Sequence, residues 1–199
     1  MTTKKYRLND SKSFCLAPWV GIYNKPSGDI TPCCLARVNS FGNLYNDSIE
    51  EIWNNQTFKD FRKSLLNDEE NPICKTCHKS EEWGTNSYRK FWNELYSNKY
   101  DEVIAATDPD GTFNNMNFYR WDFRYNNLCN LACMYCNEEY SSEWQKVKNI
   151  PIVSTKNANH ESLLNYINNN KKKISSIILA GGEPLLQKQN LSLIESLDD

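Results

Sequence analysis

No stretch of about 18 consecutive apolar residues occurs in this chain of 199 residues, and Met1 to Asp10 is polar, so neither a membrane-spanning helix nor a secretory leader is expected. A large excess of one charge is also missing. The formal net charge is -2, which gives no sequence-wide attraction to nucleic acid and leaves only a local basic patch to supply one. Without a leader, eight cysteines do not read as a disulfide framework. They read as metal or redox ligands in a reducing compartment, and a cytoplasmic protein is expected. A hydrophobic content of 39% is enough for the packed core of one or two domains.

Cysteine is absent from 78 to 128, and then three occur within eight residues, Cys129-Asn130-Leu131-Ala132-Cys133-Met134-Tyr135-Cys136. This spacing puts three thiolates on one tight loop. Thiolates select zinc, copper(I) or iron-sulfur clusters, and a closed zinc site or an ordinary cube takes four protein ligands. With no local fourth ligand, the choice is a distant partner or an open iron. Ahead of the loop, Trp121, Phe123 and Tyr125 alternate with Arg120, Asp122 and Arg124, which predicts a strand within 118–125. Residues 138–148 lack Gly and Pro and read as a helix ended by Pro151. Residues 160–173 read as another helix, with lysines at its C-terminal end. Ile174 to Ala180 is too short and too β-branched for a helix, so a buried strand is expected, running into Gly181-Gly182-Glu183-Pro184.

With Tyr135 as the aromatic before Cys136, and with Gly181-Gly182-Glu183-Pro184 behind the next strand, the sequence resembles the radical S-adenosylmethionine superfamily. The resemblance implies an α/β fold, the N-terminal part of a partial (β/α)6 TIM-like barrel with its chemistry at the strand C-terminal ends. It implies a 4Fe-4S cluster on Cys129, Cys133 and Cys136, one iron of which is chelated by S-adenosylmethionine to generate a 5'-deoxyadenosyl radical. Gly181 and Gly182 would let backbone approach the methionyl end, Glu183 would accept from its ammonium, and Tyr135 would lie beside the adenine. Implied partners are a peptide or protein substrate and an electron donor such as flavodoxin or ferredoxin. The charged side chains of the first strand would line the lumen, where Asp122 and Arg124 either contact substrate or cofactor or form an internal salt-bridge network.

The first hundred residues have their own cysteine pattern: Cys15, Cys33 and Cys34, then Cys74 and Cys77. Pro26-Ser27-Gly28-Asp29 is a turn between extended runs at Trp19 to Tyr23 and Ile30 to Pro32, and such a hairpin brings Cys15 near Cys33. Ser48 and Glu51 form a capping box that opens a helix to about Asn67, with Ile49, Ile52, Trp53, Phe58, Phe61 and Leu65 as its apolar stripe. Pro72 starts the Cys74 turn, and 81–99 reads as a further helix whose aromatics pack the two domains together. Two cysteine pairs make a closed four-ligand site that suits iron-sulfur or zinc. Cys74-Lys75-Thr76-Cys77-His78 also matches the c-type haem pattern, which goes with export and leaves Cys15 and Cys33 unexplained.

With twelve residues between Cys15 and Gly28, then Gly-x4-Cys33 and a later Cys-x2-Cys, this region resembles the SPASM/Twitch auxiliary-cluster modules. The resemblance implies a small α+β domain over 1–107 holding an auxiliary 4Fe-4S cluster on Cys15, Cys33, Cys74 and Cys77. Cys34 is the spare thiol, and His78 a polar neighbour. Asp108-Pro109-Asp110-Gly111 marks the boundary to the core portion, 108–199. Only two strand-helix units of the implied barrel are recognisable, so a fragment of a longer enzyme is expected. The competing readings are a non-catalytic iron-sulfur electron-transfer module and a zinc-ribbon interaction domain.

Overall fold

Short extended runs punctuated by turn residues build one sheet that crosses nearly the whole chain. The computed structural model describes residues 8, 10–36, 40–151 and 160–197. Ala17–Val20 forms a helical turn, α1, that leads directly into strand β1, Gly21–Asn24. The turn at Gly28, where φ is 83°, reverses the chain into β2, Asp29–Thr31, and Gly42–Asn43 adds β3. Helices α2 (Ile49–Trp53), α3 (Gln56–Leu66), α4 (Lys75–Glu82), α5 (Tyr88–Leu95) and α6 (Tyr100–Ala106) precede β4, Arg120–Arg124. Helices α7 (Ser142–Val147) and α8 (His160–Asn170) separate β4 from β5, Ser176–Ala180, and α9 spans Lys188–Leu197.

The result is a mixed α/β fold with a five-stranded sheet in the order β3-β2-β1-β4-β5. The hairpin strands pair antiparallel, whereas β1 with β4 and β4 with β5 are parallel. The pairs Gly21–Arg120, Ile22–Trp121 and Tyr23–Asp122 carry the sheet across the 107/108 position where the sequence suggests a boundary. Alternation in β4 works as the pattern implies. Trp121 and Phe123 are fully buried in a core shared with Ile22, Leu163, Tyr166, Ile167 and Leu193, each contributing about 1.5–3 kcal/mol by burial. Arg62 is buried in the same core. Its guanidinium lies 4.1 Å from the Trp53 ring, and it donates to the Pro18 carbonyl (3.0 Å) and to Asn54 Oδ1 (2.9 Å), tying α3 to α1. Burial lowers its pKa to about 9. No helix of the described residues is long and apolar enough to cross a membrane.

Several elements depart from the sequence reading, each for a local reason. The helix from Ser48 to about Asn67 is two helices. Asn55 takes an extended conformation and its side chain accepts from Phe58 N, starting α3 afresh, while its amide nitrogen holds the Phe41 carbonyl. The helix over 81–99 is interrupted by Gly84 at φ 71° and restarted by Ser87, which accepts from Lys90 N. Trp19 belongs to a helical turn with Pro18 in its first positions rather than to the strand. Only Ser142–Val147 of 138–148 is helical, because Ser141 is its N-cap. Residues 160–173 divide into α8 and a 3-10 turn at Lys171–Lys173. Strand β5 is half-buried throughout rather than buried, since β4 alone pairs with it among the described residues.

Removing the side chain that both caps α3 and holds the Phe41 carbonyl is expected to be costly. Asn55→Ala should lower stability by about 1–2 kcal/mol, read from the midpoint of urea unfolding with an unchanged slope.

Candidate metal centres

The hairpin and two helices bring four distant cysteines to one place. Cys15 immediately precedes the α1–β1 unit, Cys33 follows β2, Cys74 closes a 3-10 turn begun by Pro72, and Cys77 lies in the first turn of α4. All four line a single pocket, together with Arg89 and Trp92 of α5. The pocket sits at the N-terminal end of β1 and β4. Trp92 covers Gly21, where a Cβ would meet its ring, and the Arg120 guanidinium is 5.7 Å from that indole.

Burial and mutual proximity leave these sulfurs reluctant to ionise. Burial pushes Cys15 well above its usual value, and the neighbouring Cys33, Cys74 and Cys77 push it further. Cys33 is raised to about 12 by burial and by Cys34, and Cys74 to about 12 by burial and by Cys77. Burial also raises Cys77, opposed by backbone N–H groups of Arg89 and Tyr88 directed at its sulfur. A bound cation reverses this balance, because it makes the thiolate the favoured form. Four thiols around one pocket therefore fit an iron-sulfur cube or a zinc ion in donor chemistry. Among the described residues, no three His, Cys, Asp or Glu side chains converge closely enough to hold a single metal ion. Thiolates around a cube stand farther apart than those around one ion.

The surroundings fix this pocket firmly. Arg89 pairs with the Glu81 carboxylate, and its Nη1 donates to the carbonyls of Ser11 (3.3 Å) and Phe14 (3.1 Å), holding the segment that leads into Cys15. The Asp68 carboxylate accepts from Ser13 N (2.7 Å), Lys12 N (3.2 Å) and the Ser11 hydroxyl on the other side of that segment. Cys34 does not line the pocket but meets the Tyr88 hydroxyl. His78 has a buried Nε2 without a hydrogen-bond partner and does not line the pocket.

The second group of cysteines lies at the opposite end of β4. Cys129, Cys133 and Cys136 are half-buried on the loop after that strand, with Met134 and Tyr135 each 94% exposed between them. Cys136 N donates to the Cys133 carbonyl (2.9 Å), Trp144 Nε1 to the same carbonyl (2.9 Å), and Ser142 Oγ bridges the backbone N–H and carbonyl of Cys129. The loop backbone is thus preset while the sulfurs stay near the surface. Cys129 and Cys136 turn their thiols to the local carbonyls of Leu131 and Asn137, and Tyr135 hydrogen-bonds to the Cys133 sulfur. Three thiols on a half-exposed loop match, in donor chemistry and number, a centre that takes three protein ligands.

The glycine turn is docked on the start of this loop. Gly182 N donates to the Asn126 carbonyl (3.2 Å) and Glu183 N to the Leu128 carbonyl (2.8 Å). Gly181 has φ 126°, and a Cβ at Gly182 would fall on the Leu128 carbonyl, so this approach requires glycine. The Glu183 carboxylate accepts from Leu185 N (3.2 Å).

On the polar face of the sheet, Asp122 and Arg124 form an ion pair with each other. The Arg124 guanidinium lies 4.3 Å from the Tyr23 ring, and Tyr23 and Tyr140 share a hydrogen bond of 3.0 Å. Burial raises the Asp122 carboxyl, opposed by Arg124. These side chains pair with each other, which is the internal network of the two sequence alternatives, and the pair does not bear on contact with a bound ligand. The Lys25–Glu139 pair (3.5 Å) and the Tyr23–Tyr140 contact also strap the cysteine loop to the β1–β2 hairpin, a link between positions more than a hundred residues apart that no local signal reveals.

Two expected outcomes follow from these contacts. Although burial opposes it, hydrogen bonds from Ser11, Ser13 and Lys12 hold the Asp68 carboxyl below its usual value. Its stabilisation is fully present above the unfolded value of about 3.9 and is lost as pH falls through the lower folded value. Urea titrations should therefore show wild type more stable than Asp68→Asn at neutral pH, with the gap closing in acid. Gly182→Ala should cost about 1–3 kcal/mol by forcing the turn off the Leu128 carbonyl, measured by thermal or urea unfolding.

Neither the search of curated proteins nor that of solved structures returned a significant match. Residues 15–78 match the family model of the SPASM iron-sulfur cluster-binding domain, a segment that opens on Cys15 and contains Cys33, Cys74 and Cys77. The segment 15–78, which carries all four pocket cysteines, is thus similar to an iron-sulfur cluster-binding domain.

Proposed function

We propose that the chain is a radical S-adenosylmethionine protein with two iron-sulfur centres. An auxiliary 4Fe-4S centre is assigned to Cys15, Cys33, Cys74 and Cys77 in the 1–107 portion. A second, on Cys129, Cys133 and Cys136 in the 108–199 portion, is assigned the binding of S-adenosylmethionine. The observation that carries the second assignment is the docking of Gly181-Gly182-Glu183 on Asn126 and Leu128, which joins the glycine turn to the cysteine loop at the ends of adjacent parallel strands. Ligands in such sheets are held in the crevice outside the strand carboxyl ends.

When bound, the second centre would supply one-electron cleavage of the sulfonium to give a 5'-deoxyadenosyl radical. The chain's own residues perform binding and orientation. Cys129, Cys133 and Cys136 would hold that centre as thiolates. Gly181 and Gly182 dock the turn on the cysteine loop, and Glu183, fixed by Leu185 N, offers a carboxylate oxygen to an ammonium. Leu128, Leu131, Leu185 and Leu186 are exposed around the two loops, an apolar rim suited to excluding water once covered. The substrate class, a peptide or protein, and the electron donor, a flavodoxin or ferredoxin, come from the family resemblance. The match of residues 15–78 to an iron-sulfur cluster-binding domain supports the cube over zinc in the auxiliary position.

Anaerobic reconstitution should give roughly eight irons per chain, two cubes of four. Cys129→Ala together with Cys133→Ala should remove about half of that iron and abolish 5'-deoxyadenosine release on reduction with S-adenosylmethionine. Iron at both centres, with no deoxyadenosine and no change in the EPR spectrum on adding the cofactor, overturns the radical reading in favour of an electron-transfer module.

A further inference from the structure

Among the residues that line the pocket of the four cysteines, one carries a buried polar atom with nothing to bond. Trp92 is buried at 4% exposure, and its Nε1 has no hydrogen-bond partner. Seven buried side-chain N or O atoms among the described residues share that condition, and of the residues that carry them Trp92 alone lines the pocket. A buried indole N–H without an acceptor is disfavoured, so an acceptor that is not a protein atom is the simplest complement. The benzo edge of the ring is occupied, with Cζ3 and Cη2 covering Gly21, one face stacks on Tyr96 at 5.6 Å, and the Tyr88 ring stands perpendicular to it at 6.0 Å. This packing fixes the ring and leaves the pyrrole edge as its only polar offering.

Arg89 lines the same pocket but is differently placed. Its Nε, Nη1 and Nη2 are engaged by Glu81, Ser11 and Phe14, and its charge is paired with the Glu81 carboxylate. It is a clamp for the Cys15 segment, with four of its five N–H donors engaged.

We propose that the Trp92 indole N–H is a hydrogen-bond donor to sulfur of the inorganic centre held by Cys15, Cys33, Cys74 and Cys77, and that this bond raises the centre's reduction potential. The inference rests on the auxiliary-centre reading above. Hydrogen bonds to cluster sulfurs stabilise the more negative, reduced state, which is how they move a potential upward. Trp92 is a positioning residue in this role, acting on the centre's electronics rather than on substrate.

The test is an EPR-monitored redox titration of the reconstituted chain carrying Cys129→Ala and Cys133→Ala, so that the auxiliary centre alone is read. Trp92→Phe is expected to keep the iron content and shift the midpoint potential to a more negative value. Arg89→Gln is expected instead to lower iron retention, since it frees the segment before Cys15. Because Trp92→Phe also leaves a cavity, a benzothienylalanine placed at position 92 by suppression provides the second arm, keeping the bicyclic shape and removing only the N–H. A negative shift with that analogue supports the proposal. An unchanged midpoint with iron bound overturns the proposal alone, whereas a wild-type chain that takes up no iron at this site overturns the centre and the proposal together.

Discussion

The parallel ladder between β1 and β4 is the joint on which the rest of the molecule depends. It is short, with Gly21, Ile22 and Tyr23 set against Arg120, Trp121 and Asp122, yet it fuses the cysteine-rich hairpin to the strand that delivers the second cysteine loop. Asn24 closes its end by donating to the Arg124 carbonyl (2.7 Å) where the strand pairing stops. At its start, the absence of a side chain at Gly21 admits Trp92 against the backbone. One face of the joint is sealed by Trp121, Phe123 and the helices behind them, and the other carries Tyr23, Asp122 and Arg124. A fault in this ladder would separate the two cysteine groups while leaving each locally intact.

The four-cysteine pocket shows how such a centre is prepared by protein chemistry before any metal arrives. Burial makes thiolates unfavourable there, and the nearest fixed positive charge, on Arg89, is already matched by Glu81. The site is held together instead by carbonyl and carboxylate contacts to the chain before Cys15, so the thiols keep their positions without repelling one another as anions. The loop after β4 follows the opposite rule. Its backbone is pinned by Ser142 and Trp144, but its sulfurs lie near the surface among exposed apolar residues.

Much of this was legible in the residues because it is local. The capping box at Ser48 and Glu51, the alternation around Trp121 and Phe123, and the turn at Gly28 are each decided by neighbours within a few positions. Helices are shorter than the pattern implies where a side chain competes for backbone donors, as Asn55 and Ser141 do, since neither apolar periodicity nor a lack of Gly and Pro marks such breaks. The choice of Cys33 over Cys34 could be made from spacing, and Cys33 is the one that lines the pocket. What spacing could not reveal were partners brought in from far along the chain. Trp92 reads as one aromatic in an amphipathic helix, and its place beside the cysteines depends on how α5 lies over Gly21. Tyr23, Tyr140 and the Arg124 guanidinium between them meet only because the hairpin and the loop leave the sheet on the same side.

Because the cysteine groups sit at opposite ends of β4, that strand acts as a ruler between them. Five residues of extended chain set a span of about 16 Å, and backbone hydrogen bonds on both sides keep it from stretching. Any single molecule touching both ends must be at least that long, roughly a pentapeptide drawn out straight, and anything shorter has to choose an end.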